Sequence, residues 1–151
     1  MRNNLKHIIK VGIDKNPDFF KPLAQRLEEL LKQREEDRIT QVALLKAFAD
    51  IQDEIIAEQK EGTEKGFTTE RQRAVYNSMK IIFSADAEDA TNTLFDLIKG
   101  ELNIVGWEEK GMVLKDIENK LVRFLKTKME RADAKAKAQE LVLVIRRNKD
   151  A

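Results

Sequence analysis

Residues 108–127 read EEKGMVLKDIENKLVRFLKT, and their apolar side chains recur at spacings of three and four. The apolar set consists of Met112, Val113, Ile117, Leu121, Phe124 and Leu125. Because an α-helix turns once every 3.6 residues, this spacing places these side chains on one face. The stretch therefore predicts an amphipathic helix, and the same pattern organises the rest of the chain.

Six further helices are predicted from this periodicity. They cover residues 2–14, a segment from about 22 that stops in the charged stretch around 34–38, about 41–61, 69 to about 83, a segment from Ser84 or Asp86 to about 102, and about 130–147. No segment alternates apolar and polar residues for long enough to predict a sheet. We therefore predict an all-α fold, in which about seven amphipathic helices form a single irregular bundle and one domain over residues 1–151.

Capping residues mark several of the predicted helix ends. Thr40 is placed as an N-cap, and Thr69 with Gln72 three residues later has the form of a capping box. Gly62 is placed to end the helix that Thr40 begins, in a left-handed conformation. The buried stripe of this helix is predicted to consist of Val42, Leu45, Phe48, Ala49, Ile55 and Ile56. Residues 103–105 are predicted to be a short extended passage before a turn.

Two prolines bear on the start of the second helix. Asn16 and Pro17 suit a helix N-terminus, because proline lacks the N–H that would have no partner there. Pro22 is unfavourable inside a helix for the same reason. Either residues 17–21 form a separate short turn and the helix begins near Pro22, or the first turns of the helix are kinked. We predict the separate turn.

Composition excludes several classes of site. The chain has no cysteine, which rules out disulfides, zinc–thiolate sites, iron–sulfur clusters and cysteine nucleophiles, and the single histidine, His7, rules out a multi-histidine metal site. The net charge of +1 is not that of a protein that coats nucleic acid over its whole surface. No apolar run approaches about 18 residues and no secretory signal is evident. We expect no membrane association and a cytoplasmic location.

Candidate catalytic features are weak. The segment Gly62–Gly66 superficially resembles a phosphate-binding loop, but a Walker loop has four residues between its glycines, followed by Lys and Ser or Thr. His7 has no evident orienting partner or nucleophile. Glu54 and Glu58 share a helix face, but two carboxylates are a weak metal signal. The sequence therefore predicts a domain that is not an enzyme and holds no metal or cofactor.

The charge distribution is more informative than its total. Between residues 120 and 137, seven basic residues outnumber Glu130 and Asp133, for a net charge of +5. The basic residues are Lys120, Arg123, Lys126, Lys128, Arg131, Lys135 and Lys137. Cationic side chains gain affinity for nucleic acid by releasing condensed counterions, so this stretch is a candidate DNA-binding patch. A solvated helix surface explains the same charges equally simply.

Trp107 is the only tryptophan of the chain and follows Gly106 at a predicted turn. Most tryptophans of this kind pack in the interior and donate one hydrogen bond. An interface contact is the alternative.

Three segments in order resemble the C-terminal helical region of the restriction (motor) subunit of type I restriction–modification enzymes. The first combines residues 16–23, NPDFFKPL, with residues 26–31, RLEELL. The second is residues 66–70, GFTTE, followed by Ala74-Val75-Tyr76, and the third is Trp107 leading into a helix with Ile117 and residues 121–125, LVRFL. Together they span residues from about 5 to 127.

The resemblance implies a function for the chain. The subunits of this family are ATP-dependent DNA translocases and endonucleases, and their C-terminal region is thought to attach the motor to the methyltransferase–specificity core and to help guide DNA. The chain would then be the excised C-terminal domain of such a subunit, a non-catalytic assembly domain whose partners are that core and double-stranded DNA, bound weakly and without sequence preference. Two alternatives remain open: a stand-alone helical adaptor or regulator without DNA contact, and a small metal-dependent enzyme built on carboxylates of the bundle.

Overall fold

The computed structural model describes residues 2–149, and every regular element in this range is helical. The α-helices are α1 Arg2–Lys15, α2 Pro17–Glu35, α3 Gln41–Glu64, α4 Glu70–Phe83, α5 Ala87–Leu102, α6 Gly111–Leu125 and α7 Arg131–Arg147. Single 3₁₀ turns cover Ser84–Asp86 and Trp107–Glu109. The all-α prediction is confirmed. The helices divide into two compact units, with the boundary between Ala74 and Val75 inside α4.

In the first unit, α2 packs against both α1 and α3. Asn16 alone separates α1 from α2, so the two helices form a tight hairpin. Their shared core contains the buried side chains of Leu5, Ile9, Phe20, Leu23, Leu27, Leu44, Phe48, Ile51 and Ile55. The spacings of three and four within each helix account for this shared face.

The predicted separate turn before Pro22 is wrong, because α2 runs without a break from Pro17 to Glu35. The Phe20 N–H donates to the carbonyl of Asn16 at 3.0 Å and closes the first turn. Pro22 lies on the exposed side, while Phe20 and Leu23 on either side of it are buried. A proline inside a helix costs about 3 kcal/mol, but each large buried side chain contributes about 1.5–3 kcal/mol. One continuous face is therefore the more stable arrangement.

The end of α3 also differs from the prediction. The helix continues through Gly62 to Glu64, and the left-handed residue is Gly66, with a φ of 89°. The Phe67 N–H donates to the Gly62 carbonyl at 2.7 Å, and the Gly66 N–H donates to the Thr63 carbonyl at 3.1 Å. These two bonds form a Schellman motif, which satisfies the last carbonyls of the helix.

Gly62 is required for a different reason, because the side chain of Arg73 and the carbonyl of Phe67 approach its backbone closely. A Cβ built at this position would lie 2.6 Å from side-chain carbons of Arg73 and 3.1 Å from the Phe67 carbonyl oxygen. Gly62 is buried, and α3 and the start of α4 meet there without room for a methyl group.

The buried face of α3 differs in part from the predicted one. The sequence assigned to it Val42, Leu45, Phe48, Ala49, Ile55 and Ile56, but Val42, Leu45 and Ile56 are exposed. The face that packs on the rest of the unit consists of Leu44, Phe48, Ile51 and Ile55. Two apolar stripes overlap on this helix, and periodicity alone does not say which one faces the core.

The predicted N-caps of α3 and α4 are confirmed. The Thr40 hydroxyl accepts a hydrogen bond from the Ala43 N–H at 3.1 Å. At the start of α4, the Thr69 hydroxyl accepts from the Gln72 N–H and the Gln72 side chain accepts from the Thr69 N–H, both at 3.2 Å. This reciprocal pair is the capping box that the sequence predicted.

In the second unit, α6 packs against both α5 and α7. The buried residues of these three helices are Ala87, Ala90, Thr91, Leu94, Ile98, Ile117, Leu121, Leu125, Ala134, Ala138, Leu141, Val144 and Ile145. Phe83 at the end of α4 stacks on Phe124 of α6, with ring centroids 5.2 Å apart. The α7 bounds agree with the prediction within one residue.

The segment between α5 and α6 is not extended as predicted. Asn103 continues the helical conformation, and the Ile104 N–H donates to the Glu101 carbonyl at 3.1 Å. Gly106 then adopts a positive φ of 73°, and Trp107 begins the 3₁₀ turn. Because Lys110 is extended, this turn stays separate from α6, which begins at Gly111 rather than at residue 108.

Candidate nucleic-acid interface

The basic stretch of the sequence lies on the α6–α7 hairpin. Both helices bury their apolar faces, so their polar side chains project away from the contact between them. Residues 126–130 connect the helices in a short turn, in which the Lys128 and Met129 N–H groups both donate to the Leu125 carbonyl at 2.9 Å. These backbone groups bond to the last turn of α6, and the side chains of Lys126 and Lys128 are exposed to solvent.

Five of the seven predicted DNA-binding residues are exposed around this turn. They are Arg123, Lys126, Lys128, Arg131 and Lys135. Within the range 2–149, no carboxylate forms an ion pair with any of the five. Glu130 and Asp133 are the only acidic residues between positions 123 and 135, so the surface carries a local charge of five minus two, or +3. We call these five residues the hairpin patch.

Lys120 has a different environment from the hairpin patch. Its Nζ lies 2.5 Å from Glu101 Oε1 and donates to the Leu97 carbonyl at 3.1 Å. The Glu101 side chain is 13% exposed, and the hydrogen bond from Lys120 holds the pKa of its carboxyl below the ordinary value. Lys120 therefore ties α6 to the last turns of α5, and a phosphate group would compete with Glu101 for it.

Lys137 is also engaged within the protein. Its side chain is only 14% exposed, and its Nζ lies 3.4 Å from Glu140 Oε1 on the same helix. A role for Lys120 and Lys137 in DNA binding stays a prediction. Of the seven predicted residues, the five of the hairpin patch are those without an ion pair among residues 2–149.

Trp107 is buried, with 6% of its surface exposed. Its backbone N–H donates to the Ile104 carbonyl at 3.1 Å and closes the turn after α5. This burial favours core packing over the interface contact that the sequence also allowed. An interface role stays a prediction that requires the indole to become uncovered.

The loop after α3 uses its backbone amides internally. The N–H groups of Lys65, Gly66 and Phe67 all donate to carbonyls in the last turns of α3. A phosphate-binding loop needs such amides to point at its ligand. In this conformation they are not available to one.

The carboxylates considered as metal ligands have protein partners instead. Glu54 Oε2 lies 2.5 Å from Arg26 Nη1. Glu58 Oε1 lies 3.6 Å from Arg73 Nε, and it accepts a hydrogen bond from the Asn16 side chain at 3.4 Å. Among residues 2–149, no three carboxylate or histidine side chains come together in a group that could hold a metal ion. His7 is exposed.

A second charged surface was not foreseen from the sequence. The α1–α2 hairpin carries an open groove with cations along its α1 side. Arg2, Lys6 and Lys10 follow one another at intervals of four, which places them in a row on one helix face. The regular spacing of these three cations, next to the apolar positions of the same helix, is the sequence signal that could have revealed this charged surface.

Comparison of the chain with protein-family models, curated protein sequences and solved structures found no match. No helix within residues 2–149 is long and apolar enough to cross a membrane.

Proposed function

We propose that this chain is a non-catalytic assembly domain of a type I restriction enzyme motor subunit, acting in the cytoplasm. In this proposal it docks the motor on the methyltransferase–specificity core and contacts the backbone of double-stranded DNA through the hairpin patch. The observation that carries the DNA contact is the group of five exposed cations around one turn without a carboxylate partner. The family assignment is supported by the three ordered sequence segments.

Each of the three segments contributes a buried aromatic side chain to the fold: Phe20, Phe67 and Trp107 are 8%, 2% and 6% exposed. The family assignment itself rests on the ordered sequence segments.

The hairpin patch suits a phosphate backbone better than a base sequence. Lysine and arginine contacts to phosphates position a protein on a duplex but carry no sequence information. Each neutralised phosphate makes the slope of log affinity against log salt more negative by about 0.9. If all five cations contact phosphates, the slope is about −4.5, and binding is weak at physiological salt.

The test is a salt titration of DNA binding by the whole chain. Fluorescence anisotropy of a labelled duplex gives the affinity at several sodium chloride concentrations. The variant with Arg123, Lys126 and Arg131 all changed to Glu is expected to lower the magnitude of the slope by about 2.7 or more. The matched control changes Lys21, Lys46 and Lys60 to Glu, because these are exposed cations outside the hairpin patch.

The control distinguishes binding by a local surface from a general effect of the net charge of the chain. Both variants change the total charge equally, so only a localised contact makes their slopes differ. We call the variant with Arg123, Lys126 and Arg131 changed to Glu the hairpin variant. Equal slopes in the hairpin variant and the control, or wild-type affinity in the hairpin variant, would contradict the DNA contact. The stand-alone adaptor would then be the better description. Co-elution of the chain with the methyltransferase–specificity core of the same restriction system tests the docking half separately.

The single-domain prediction has its own test. The helices divide into two compact units. If residues 1–151 nevertheless form a single domain, the chain is expected to unfold in one cooperative transition. Circular dichroism and tryptophan fluorescence should then give the same midpoint.

A further inference from the structure

The α1–α2 hairpin carries an open groove of about 980 Å³. Its apolar lining consists of Ile9, Ile13, Ala24, Leu27 and Leu31. Ile9 and Leu27 are buried, whereas Ile13, Ala24 and Leu31 are half-buried. The apolar surface of the hairpin therefore continues from the core into the groove, where no side chain of the described chain fills the space.

Charged side chains line the edges of the groove. Arg2, Lys6 and Lys10 stand along α1, and Lys32 and Arg34 stand with Glu28 and Glu35 along α2. The five cations exceed the two acids by three. No carboxylate between residues 2 and 149 forms an ion pair with the three α1 cations.

The row on α1 has a specific geometry. Arg2, Lys6 and Lys10 are four residues apart, so they lie on one helix face over about 12 Å. Like charges at this spacing repel one another and destabilise a helix. An anionic ligand with the same spacing would relieve this repulsion, and a second helix with carboxylates four residues apart has that spacing.

The length of the cation row also matches a short helix. An α-helix rises 5.4 Å per turn, so a bound helix of about two turns would run beside the whole row. A helix laid in the groove would place its apolar side chains on the isoleucine and leucine floor and its acidic ones beside α1.

We propose that the α1–α2 groove binds an acidic amphipathic helix of a partner protein. This inference rests on the proposed role of the chain as a docking domain, but it does not depend on DNA binding by the hairpin patch. The apolar floor favours a helix over nucleic acid, because a duplex backbone presents charge without an apolar face to cover Ile13 and Leu31.

The test uses a labelled amphipathic peptide with leucines on one face and glutamates four residues apart beside them. Anisotropy with the whole chain measures its affinity. A scrambled peptide of the same composition lacks the continuous faces and is expected to bind at least about tenfold more weakly. Equal binding of the two peptides would overturn the proposal, because charge alone would then explain the affinity.

Variants of the groove give the second comparison. Lys6→Glu with Lys10→Glu should weaken the acidic peptide by about tenfold, while Lys21→Glu with Lys46→Glu, exposed and outside the groove, should leave it unchanged. A peptide with lysines in place of the glutamates should bind the Lys6/Lys10 variant better than the wild type. This exchange of preference excludes unfolding as the cause, and its absence would overturn the proposal.

A third variant tests the apolar floor. Ala24→Phe fills the groove with a ring while keeping every charge, and it should also weaken the acidic peptide by about tenfold. Unchanged binding by this variant would contradict insertion of a helix into the groove. Its helical circular dichroism must match that of the wild type.

The two proposals fail in different ways. Loss of DNA binding in the hairpin variant with peptide binding intact supports two separate surfaces. Peptide binding that is absent while the hairpin patch still binds DNA overturns the groove alone. Failure of DNA binding by the wild type with a normal peptide response overturns the DNA contact alone. If Lys6→Glu with Lys10→Glu lowers DNA affinity as much as the hairpin variant does, the groove is a nucleic-acid site and the acidic helix is wrong.

Discussion

Gly62 and Gly100 should respond to the same substitution with opposite signs. Both are helical glycines, in α3 and α5. A Cβ at Gly62 would lie 2.6 Å from the Arg73 Cγ and Cδ, whereas a Cβ at Gly100 would have no atom within 4 Å. Gly62→Ala therefore displaces Arg73, which pairs with Glu58 and donates to the Thr68 carbonyl at 3.1 Å.

The magnitudes follow from two opposing effects. Alanine is better than glycine in a helix interior by about 0.8–1 kcal/mol, and this gain is all that Gly100→Ala should show. Overpacking costs about 1–3 kcal/mol, so Gly62→Ala should lower the free energy of unfolding by about 1 kcal/mol net. For about 150 residues, each kcal/mol moves Tm by roughly 2–4 °C. The two variants should then differ by about 4–8 °C.

The assay is thermal and urea unfolding followed by circular dichroism, with a double-mutant cycle. Arg73→Ala removes the side-chain atoms that a Cβ at position 62 would meet. In that background Gly62→Ala should lose most of its cost, which gives a coupling energy of about 1 kcal/mol or more. Equal stabilisation by both glycine substitutions would show that the close approach of α3 and α4 does not hold. A cost that persists in full without Arg73 would show that the Arg73 side chain is not its source.

Three other expectations concern single contacts. Trp107→Ala should lower the free energy of unfolding in urea by about 3–5 kcal/mol, because Trp107 is only 6% exposed. The control is Val105→Ala, at a position that is 89% exposed, and it should change stability by less than about 0.5 kcal/mol. Thr40→Ala removes the α3 N-cap and should lower stability by about 1 kcal/mol, visible as a shifted urea midpoint. The hydrogen bond from Lys120 lowers the pKa of Glu101 in the fold. The stability that this carboxylate contributes is therefore fully present above its unfolded pKa and is lost as the pH falls through the lower folded pKa. Lys120→Met should reduce that acid-induced loss in urea midpoints measured between neutral and acidic pH.

Local signals in the sequence predicted the helices well. The Thr69–Gln72 box and the start of α3 at Thr40 depend on neighbours within one turn, and both are present in the structure. The break before Pro22 was wrong because the burial of Phe20 and Leu23 is a tertiary effect that outweighs the local cost of proline. Local preference is a weak guide wherever packing opposes it.

The candidate surfaces were predicted less completely. The sequence placed all seven cations in one stretch, but the pairing of Lys120 with Glu101 joins residues of different helices and is not visible in local spacing. To predict the groove, one must know that α1 and α2 pack side by side, because only then do Lys6 and Leu31 line the same space. The sequence spacing shows the row of cations on α1, but it does not show the apolar floor beside them, because α1 and α2 form that floor together.

The order in which the helices pack has a consequence for folding speed. Most packing among the described helices joins neighbours along the chain: α1 with α2, α2 with α3, α5 with α6 and α6 with α7. Closing a short loop costs little entropy, and proteins dominated by such contacts fold in microseconds to milliseconds. The α1–α2 and α6–α7 hairpins need closures across only Asn16 and residues 126–130. We therefore expect each unit to contain its own rapidly forming nucleus, so that the first unit begins to fold while later helices are still being synthesised.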